Sequence, residues 1–231
     1  MVERVPTYTS AQVRAAEKPL LDAGKPLMRR AAAALARIAA VELGPNRGRV
    51  LVLVGSGDNG GDALFAAADL AEISDTVVDV FLTADRVHEA GLGAAIAAGA
   101  RKVDLPEVIS AASGYDLVLD GILGIGASAD PALRGTARTV VQELLPVVRA
   151  GRPRVIAVDV PSGLQPNDGS SDGVVLPASI TVTFGAVKSG LTAGSGPERT
   201  GAIVLVDLGL TTALAGQEPA GAASVTAVVQ A

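Results

Sequence analysis

Three apolar runs in this 231-residue chain each end on oxygen-bearing side chains. Gly55-Ser56-Gly57-Asp58-Asn59-Gly60-Gly61-Asp62 follows Arg49 to Val54. Asp120 closes Asp116-Leu117-Val118-Leu119-Asp120, and Asp159 closes Val155-Ile156-Ala157-Val158-Asp159 ahead of Val160-Pro161-Ser162-Gly163. Gly55, Gly57 and Gly60 satisfy G-x-G-x-x-G, a spacing that lets a phosphate approach backbone amides at a helix N-terminus. The same spacing also serves a tight strand-to-helix turn that binds nothing. No Gly-Lys-Ser/Thr follows, so a Walker A loop is excluded. Asp58 and Asp62 set carboxylates where a phosphate would lie, which requires a cation or a hydrogen-bond network between them. Asn59 and these carboxylates are hard oxygen donors, suited to an alkali or alkaline-earth ion.

Taken singly, Asp120 or Asp159 reads most simply as a cap on the next helix. Taken together they read differently. In an open parallel sheet, ligands bind beyond the carboxyl ends of the strands, so Asn59, Asp120, Asp159 and Ser162 are expected in one crevice. Lys188, in Gly185-Ala186-Val187-Lys188, follows another strand and is a candidate to close it. His88 reads as a solvated helix residue, and Arg29 and Arg30 as exposed arginines of an amphipathic helix.

The elements that must position these groups follow from the apolar pattern. Ser10 to about Ala23 and Pro26 to Leu43 read as two helices ahead of any strand, Ser10 capping the first. Strands are expected at Arg49–Val54, Thr76–Leu82, Tyr115–Asp120, Arg154–Val160, Ser179–Phe184 and Ala202–Val206. Helices are expected at Asp62–Glu72, His88–Ala98 and Pro131–Val148. Continuous apolar strands alternating with helices imply a doubly wound α/β domain with a parallel sheet. From Thr211 the chain turns Ala/Gly-rich, which reads as a tail or linker after a domain at 1–210.

Composition narrows the chemistry. With no cysteine, disulfides, thiolate nucleophiles and Cys-ligated zinc drop out, and one histidine leaves little for a His-based metal site or a Ser-His-Asp triad. A net charge of -5 without a basic block argues against nucleic acid. No apolar run reaches the ~20 residues needed to span a bilayer, and no secretory signal core is visible, so a cytoplasmic location is expected.

The ordered blocks Val54–Asp62, Asp116–Gly124, Ala157–Leu164 and Thr181–Lys188, with Leu27-Met28 before them and Val206–Leu210 after, resemble the YjeF N-terminal family, the NAD(P)H-hydrate epimerases. The resemblance covers about Tyr8 to Leu210. It implies a Rossmann-like αβα sandwich, usually dimeric, an isomerase of nicotinamide-nucleotide repair that converts the R epimer of hydrated NADH or NADPH to the S epimer. It further implies a potassium ion held by Asn59, Asp120 and Ser162. Substrate contacts are implied from Asp58, Asn59, Gly60, Gly61, Asp62, Gly124, Ile125, Gly126 and Asp159, with Arg134 standing in a basic-Gly element. Asp58 stands where the family commonly has Asn, and Arg29-Arg30 where it often has an acidic-Asn pair.

On this resemblance, Asp159 is the expected acid/base. Epimerisation at C6 proceeds by ring opening or by departure and return of water, and both need proton transfer. Two other classes stand beside it: a non-catalytic interaction domain, as in family members acting as scaffolds in messenger-RNA decapping, and a nicotinamide-dependent dehydrogenase. The dehydrogenase needs an acidic ribose contact near the second strand's end, where Asp79, Thr83 and Asp85 fit loosely. Similar domains are often fused to an ADP- or ATP-dependent hydrate dehydratase, and Ser224–Val229 resembles the opening of one.

Overall fold

The computed structural model describes residues 3–45, 48–126 and 130–231. In chain order the strands are β1 (Glu3–Tyr8), β2 (Gly48–Val54), β3 (Thr76–Leu82), β4 (Arg101–Val103), β5 (Leu117–Gly121), β6 (Arg154–Val158), β7 (Ile180–Phe184), β8 (Val187–Lys188), β9 (Ala202–Asp207), β10 (Gly221–Val225) and β11 (Ala227–Gln230). The helices are α1 (Ser10–Asp22), α2 (Leu27–Leu43), α3 (Asp58–Ala71), α4 (Glu89–Ala97), α5 (Leu105–Ala111), α6 (Gly135–Arg149), α7 (Gly196–Thr200) and α8 (Thr211–Leu214).

Eight strands form one sheet in the order β11-β9-β7-β6-β5-β2-β3-β4, and every neighbouring pair is parallel. Strand pleating explains the continuous apolar run in β2. Val50, Val52 and Val54 face a layer containing α2 and α3, while Leu51 and Leu53 face the layer containing α5 and α6. The expected doubly wound sandwich is the observed architecture. No helix among the described residues is long and apolar enough to cross a membrane.

Several local expectations are corrected. A strand, β1, precedes the helix pair; its charged and proline-containing sequence hides it because it belongs to a separate small sheet, β10-β1-β8. Thr9, not Ser10, caps α1: its side chain and that of Gln12 form a reciprocal capping box, while the Ser10 hydroxyl donates to Asn167 at 2.9 Å. Helix α3 starts at Asp58, four residues before the expected position, so Gly60 and Gly61 lie in its first turn. Helix α6 starts at Gly135 rather than near Pro131. β4 and α5 were not expected, and the Asp104–Glu107 capping box opens α5.

The segment after Thr211 is not a frayed tail. β10 pairs antiparallel with β1, from Glu3↔Val225 to Thr7↔Gly221, and β11 extends the main sheet beside β9. Val225 and Ala223 are buried there. Asp79 also has a structural role: it is fully buried in β3 and accepts from Arg49 at 2.6 Å, Arg101 at 2.7 Å and the Tyr115 hydroxyl at 3.0 Å. With its oxygens engaged by two cations, it does not present a ribose contact.

Candidate functional site

The carboxyl ends of β2, β5, β6 and β7 open onto a cavity of about 430 Å³. It is walled by Asp58, Asn59 and Asp62 from the start of α3, by residues 122–126 after β5, by Asp159 after β6 and by Phe184 at the end of β7. Backbone proximity shapes this end of the sheet. A Cβ on Gly55 would lie 1.8 Å from the Ile122 carbonyl oxygen, and one on Gly60 2.2 Å from the Gly55 carbonyl oxygen. These two glycines permit turn, helix and neighbouring loop to close on one another. Gly60 faces this packing and Gly61 faces Met28 and His88, and neither lines the cavity.

Beneath the cavity, Asn59, Asp120 and Ser162 come together around the Leu123 backbone. Asn59 Nδ2 donates to the Leu123 carbonyl at 2.9 Å, the Leu123 amide donates to Ser162 Oγ at 2.9 Å, and the Ser162 amide donates to Asp120 Oδ2 at 2.9 Å. The remaining Asp120 oxygen, Oδ1, is buried without a hydrogen-bond partner. Burial pushes the Asp120 carboxyl up from its ordinary value, against the lowering effect of hydrogen bonding from Ser162 and the Ile122 backbone. One carboxylate with an orphaned oxygen, grouped with neutral side-chain and carbonyl oxygens, is a set of hard oxygen donors that could hold a cation.

Asp159 is held differently. It sits at φ 64°, and the Val160 amide donates across it to the Val158 carbonyl at 2.8 Å, forming a γ-turn that is strained for a residue with a Cβ. A second γ-turn at Gly185, closed by Ala186 N to Phe184 O at 2.7 Å, lies at the end of β7. Asp159 Oδ1 accepts from Lys188 Nζ, from the Phe184 amide at 3.0 Å and from Thr183 Oγ1 at 3.3 Å. All of these donors converge on one oxygen, leaving Oδ2 free of hydrogen bonds from described residues. Lys188, 1% exposed, is thus the buried counter-ion of Asp159 beneath the cavity rather than a lid over it.

Helix α1 brings two residues that the strand-end reasoning missed. Arg14 and Glu17, three apart on one helix face, both line the cavity. The Arg14 guanidinium also donates to the Ile125 carbonyl at 3.2 Å, tying α1 to the loop after β5. Glu17 is raised above its ordinary value, chiefly by burial and against the attraction of Lys188. Asp62 is raised well above its ordinary value by burial, with Asp159, Asp58 and Glu17 adding repulsion.

The other sequence candidates fall outside this centre. Arg134 lies in an adjoining cavity of about 250 Å³, with Thr83 and Ala137, and pairs with Asp130 at 2.5 Å. The two cavities share Ser56, Ile122 and Leu123. Gly124, Ile125 and Gly126 line the main cavity, while the loop residues 127–129 lie outside the described residues. His88 is a partly buried cap rather than a solvated helix residue. Its Nδ1 accepts from the Gly91 amide at 3.0 Å and its ring packs edge-on against Phe65. Arg29 lies over Phe65 with its charge near Asp69, and Arg30 donates to the Leu208 carbonyl at 3.4 Å.

Parallel sheet, helices on both faces and a polar cleft over the strand ends define a Rossmann-like α/β domain with a cavity where such folds bind ligands. Residues 24–190 match the family model described as YjeF-related protein N-terminus, and the chain belongs to that family. It is 58% identical over 226 residues to an NAD(P)H-hydrate epimerase of Microbacterium testaceum, covering 98% of this chain and 87% of the relative. An NAD(P)H-hydrate epimerase of Clavibacter michiganensis is 54% identical over 210 residues, covering 88% and 90%. A bifunctional NAD(P)H-hydrate repair enzyme of Mycobacterium tuberculosis is 41% identical over 211 residues, covering 88% of this chain but 41% of that protein. The crystal structure of a yeast protein, 19% identical, superposes with a TM-score of 0.70 over 80% of this chain and 83% of that one, and shows the same fold.

Proposed function

We propose that the protein is an isomerase of nicotinamide-nucleotide repair, interconverting the R and S epimers of hydrated NADH and NADPH. The observation that carries this reading is the anchored Asp159, with one free carboxylate oxygen in a cavity built over the sheet's carboxyl ends. Likeness to epimerases across 98% of the chain supports the substrate class. Asp159 acts as the acid/base at the C6 hydroxyl, its Oδ1 immobilised by Lys188, Thr183 and Phe184 so that Oδ2 meets the substrate. Arg14 at the cavity wall and Arg134 in the adjoining cavity are the cations placed to meet the dinucleotide phosphates. The loop after β5 and the start of α3 bound the nicotinamide end, where Phe184 supplies an apolar wall.

Asn59, Asp120 and Ser162 fit a potassium ion, which would offset the Asp120 charge and fix the Leu123 loop. In a thermal-shift assay, potassium chloride raises the melting temperature above that in choline chloride, since a ligand of the native state alone stabilises it. Asp120→Asn abolishes the difference; an unchanged difference in that variant rejects the site. The reading also includes a cytoplasmic homodimer working with a fused or separate hydrate dehydratase; that a relative is named a bifunctional NAD(P)H-hydrate repair enzyme supports a second repair activity beside this domain.

Asp159→Asn tests the catalytic assignment. The variant deprives the buried Lys188 of its partner and so melts lower than the unmodified protein while still unfolding as a cooperative folded protein, and it loses about 10²- to 10⁴-fold in kcat for epimerisation. Undiminished turnover removes Asp159 from the chemistry. The scaffold reading is weaker because it gives no reason to strain a buried carboxylate into a γ-turn over a lysine.

A further inference from the structure

Asp62 is the second buried carboxyl of this cavity, and it is placed in an opposite environment. It is 8% exposed, lines the cavity from α3, and its Oδ1 is buried with no hydrogen-bond partner. Asp159, in the same wall, carries Lys188 as an ion-pair partner and two further donors. The acidic groups Asp58 on its own helix, Glu17 on α1 and Asp159 after β6 line the same cavity as Asp62, and their charge outweighs that of Lys188 on β8. Arg14 stands on the cavity wall, and His88, at the start of α4, packs against the neighbouring Gly61. A buried carboxyl with no donor aimed at it and this much negative charge around it favours the neutral, protonated form. An unpartnered carboxyl and an ion-paired carboxylate in one site can divide into an acid and a base.

We propose that Asp62 is a second catalytic residue, the proton donor to the departing C6 hydroxyl, and that epimerisation runs by loss and return of water. The inference rests on the epimerase reading and supplies its missing acid. The Asp62 proton passes to the C6 oxygen as the C6–O bond breaks, and water leaves. The N1 lone pair forms an N1=C6 double bond, giving a planar cationic iminium. Water then adds to the opposite face of C6, the π pair returns to N1, and the proton released by that water goes to Asp159 Oδ2. The net change is inversion at C6 with one proton moved from Asp62 to Asp159, which solvent exchange resets. The acidic lining favours this path over ring opening, because Asp58, Glu17 and Asp159 surround a cation rather than a neutral aldehyde.

The test uses the full chain with the R epimer of hydrated NADPH. Asp62→Asn, which keeps the side-chain shape, is expected to lose about 10²- to 10⁴-fold in kcat while KM stays within about threefold. The unmodified protein loses rate at alkaline pH as Asp62 gives up its proton, and the residual rate of the variant lacks this alkaline limb. A packing role for Asp62 leaves that limb in place. In oxygen-18 water, each turnover of the unmodified protein places one labelled oxygen at C6 of the S product. Should the variant fold poorly, this label and an infrared carbonyl band from a protonated carboxyl at neutral pH are read on the unmodified protein. Full activity in the variant, retention of the original oxygen, or absence of the protonated-carboxyl band overturns the proposal. Failure of the unmodified protein to accelerate epimerisation at all instead overturns the functional reading on which it stands.

Discussion

Lys188 shows how one side chain couples stability to chemistry in this molecule. Its ammonium and the Asp159 carboxylate are both withdrawn from water, 1% and 8% exposed, so losing either one costs stability. Lys188→Met therefore leaves an uncompensated buried carboxylate, a change expected to destabilise by about 3–5 kcal/mol. For a domain of this length that lowers the melting temperature by roughly 6–20 °C. The double variant Lys188→Met/Asp159→Asn recovers part of the loss, because the stranded charge is gone. Calorimetry of the three variants checks this, and a single variant melting with the unmodified protein contradicts it. The sequence revealed Asp159 and Lys188 as strand-end groups facing one place. Their ion pair was not legible, because it depends on two γ-turns that bring the ends of β6 and β7 together.

At the scale of elements, legibility followed burial. The runs in β2, β3, β5, β6 and β7 are nearly all apolar because helices cover both faces of the sheet, so they stand out in the sequence. β1 and β10 do not: Glu-Arg-Val-Pro-Thr-Tyr and Gly-Ala-Ala-Ser-Val bury only part of their surface in a three-stranded sheet. Arg14 and Glu17 escaped notice for a related reason, since α1 reaches the site by packing and not by following a strand. The C-terminal strands matter despite their bland composition. Ending the chain at residue 215 removes the antiparallel partner of β1 and the edge strand beside β9. It also forfeits the burial of Val225 and Ala223, together worth about 3 kcal/mol. The shortened chain is expected to melt roughly 6–12 °C lower. It is also expected to self-associate through the uncovered edges of β1 and β9. An unaltered melt and a size-exclusion profile matching the full chain would falsify this role for β10 and β11.

Across the whole molecule, the parallel topology sets the carboxyl ends of β2, β5, β6 and β7 side by side, although those ends are spread along the chain from Val54 to Phe184. That arrangement turns Asn59, Asp120, Asp159 and Ser162 into neighbours and provides a cleft above them. A loop crossing requires glycine at position 55 and a helix start requires it at position 60, so the glycine pattern reports how closely these elements approach. The fold was legible because the strand-helix alternation admits few topologies. The partition of the site into an ion-paired carboxylate and an unpartnered carboxyl was not, since both are aspartates in sequence and only burial separates them. Chiral chromatography of purified R and S epimers of hydrated NADH and NADPH, incubated with and without the protein, tests the function most directly. Rapid approach of either pure epimer to the equilibrium mixture is the predicted result; interconversion at the spontaneous rate in the presence of folded, potassium-supplied protein contradicts it.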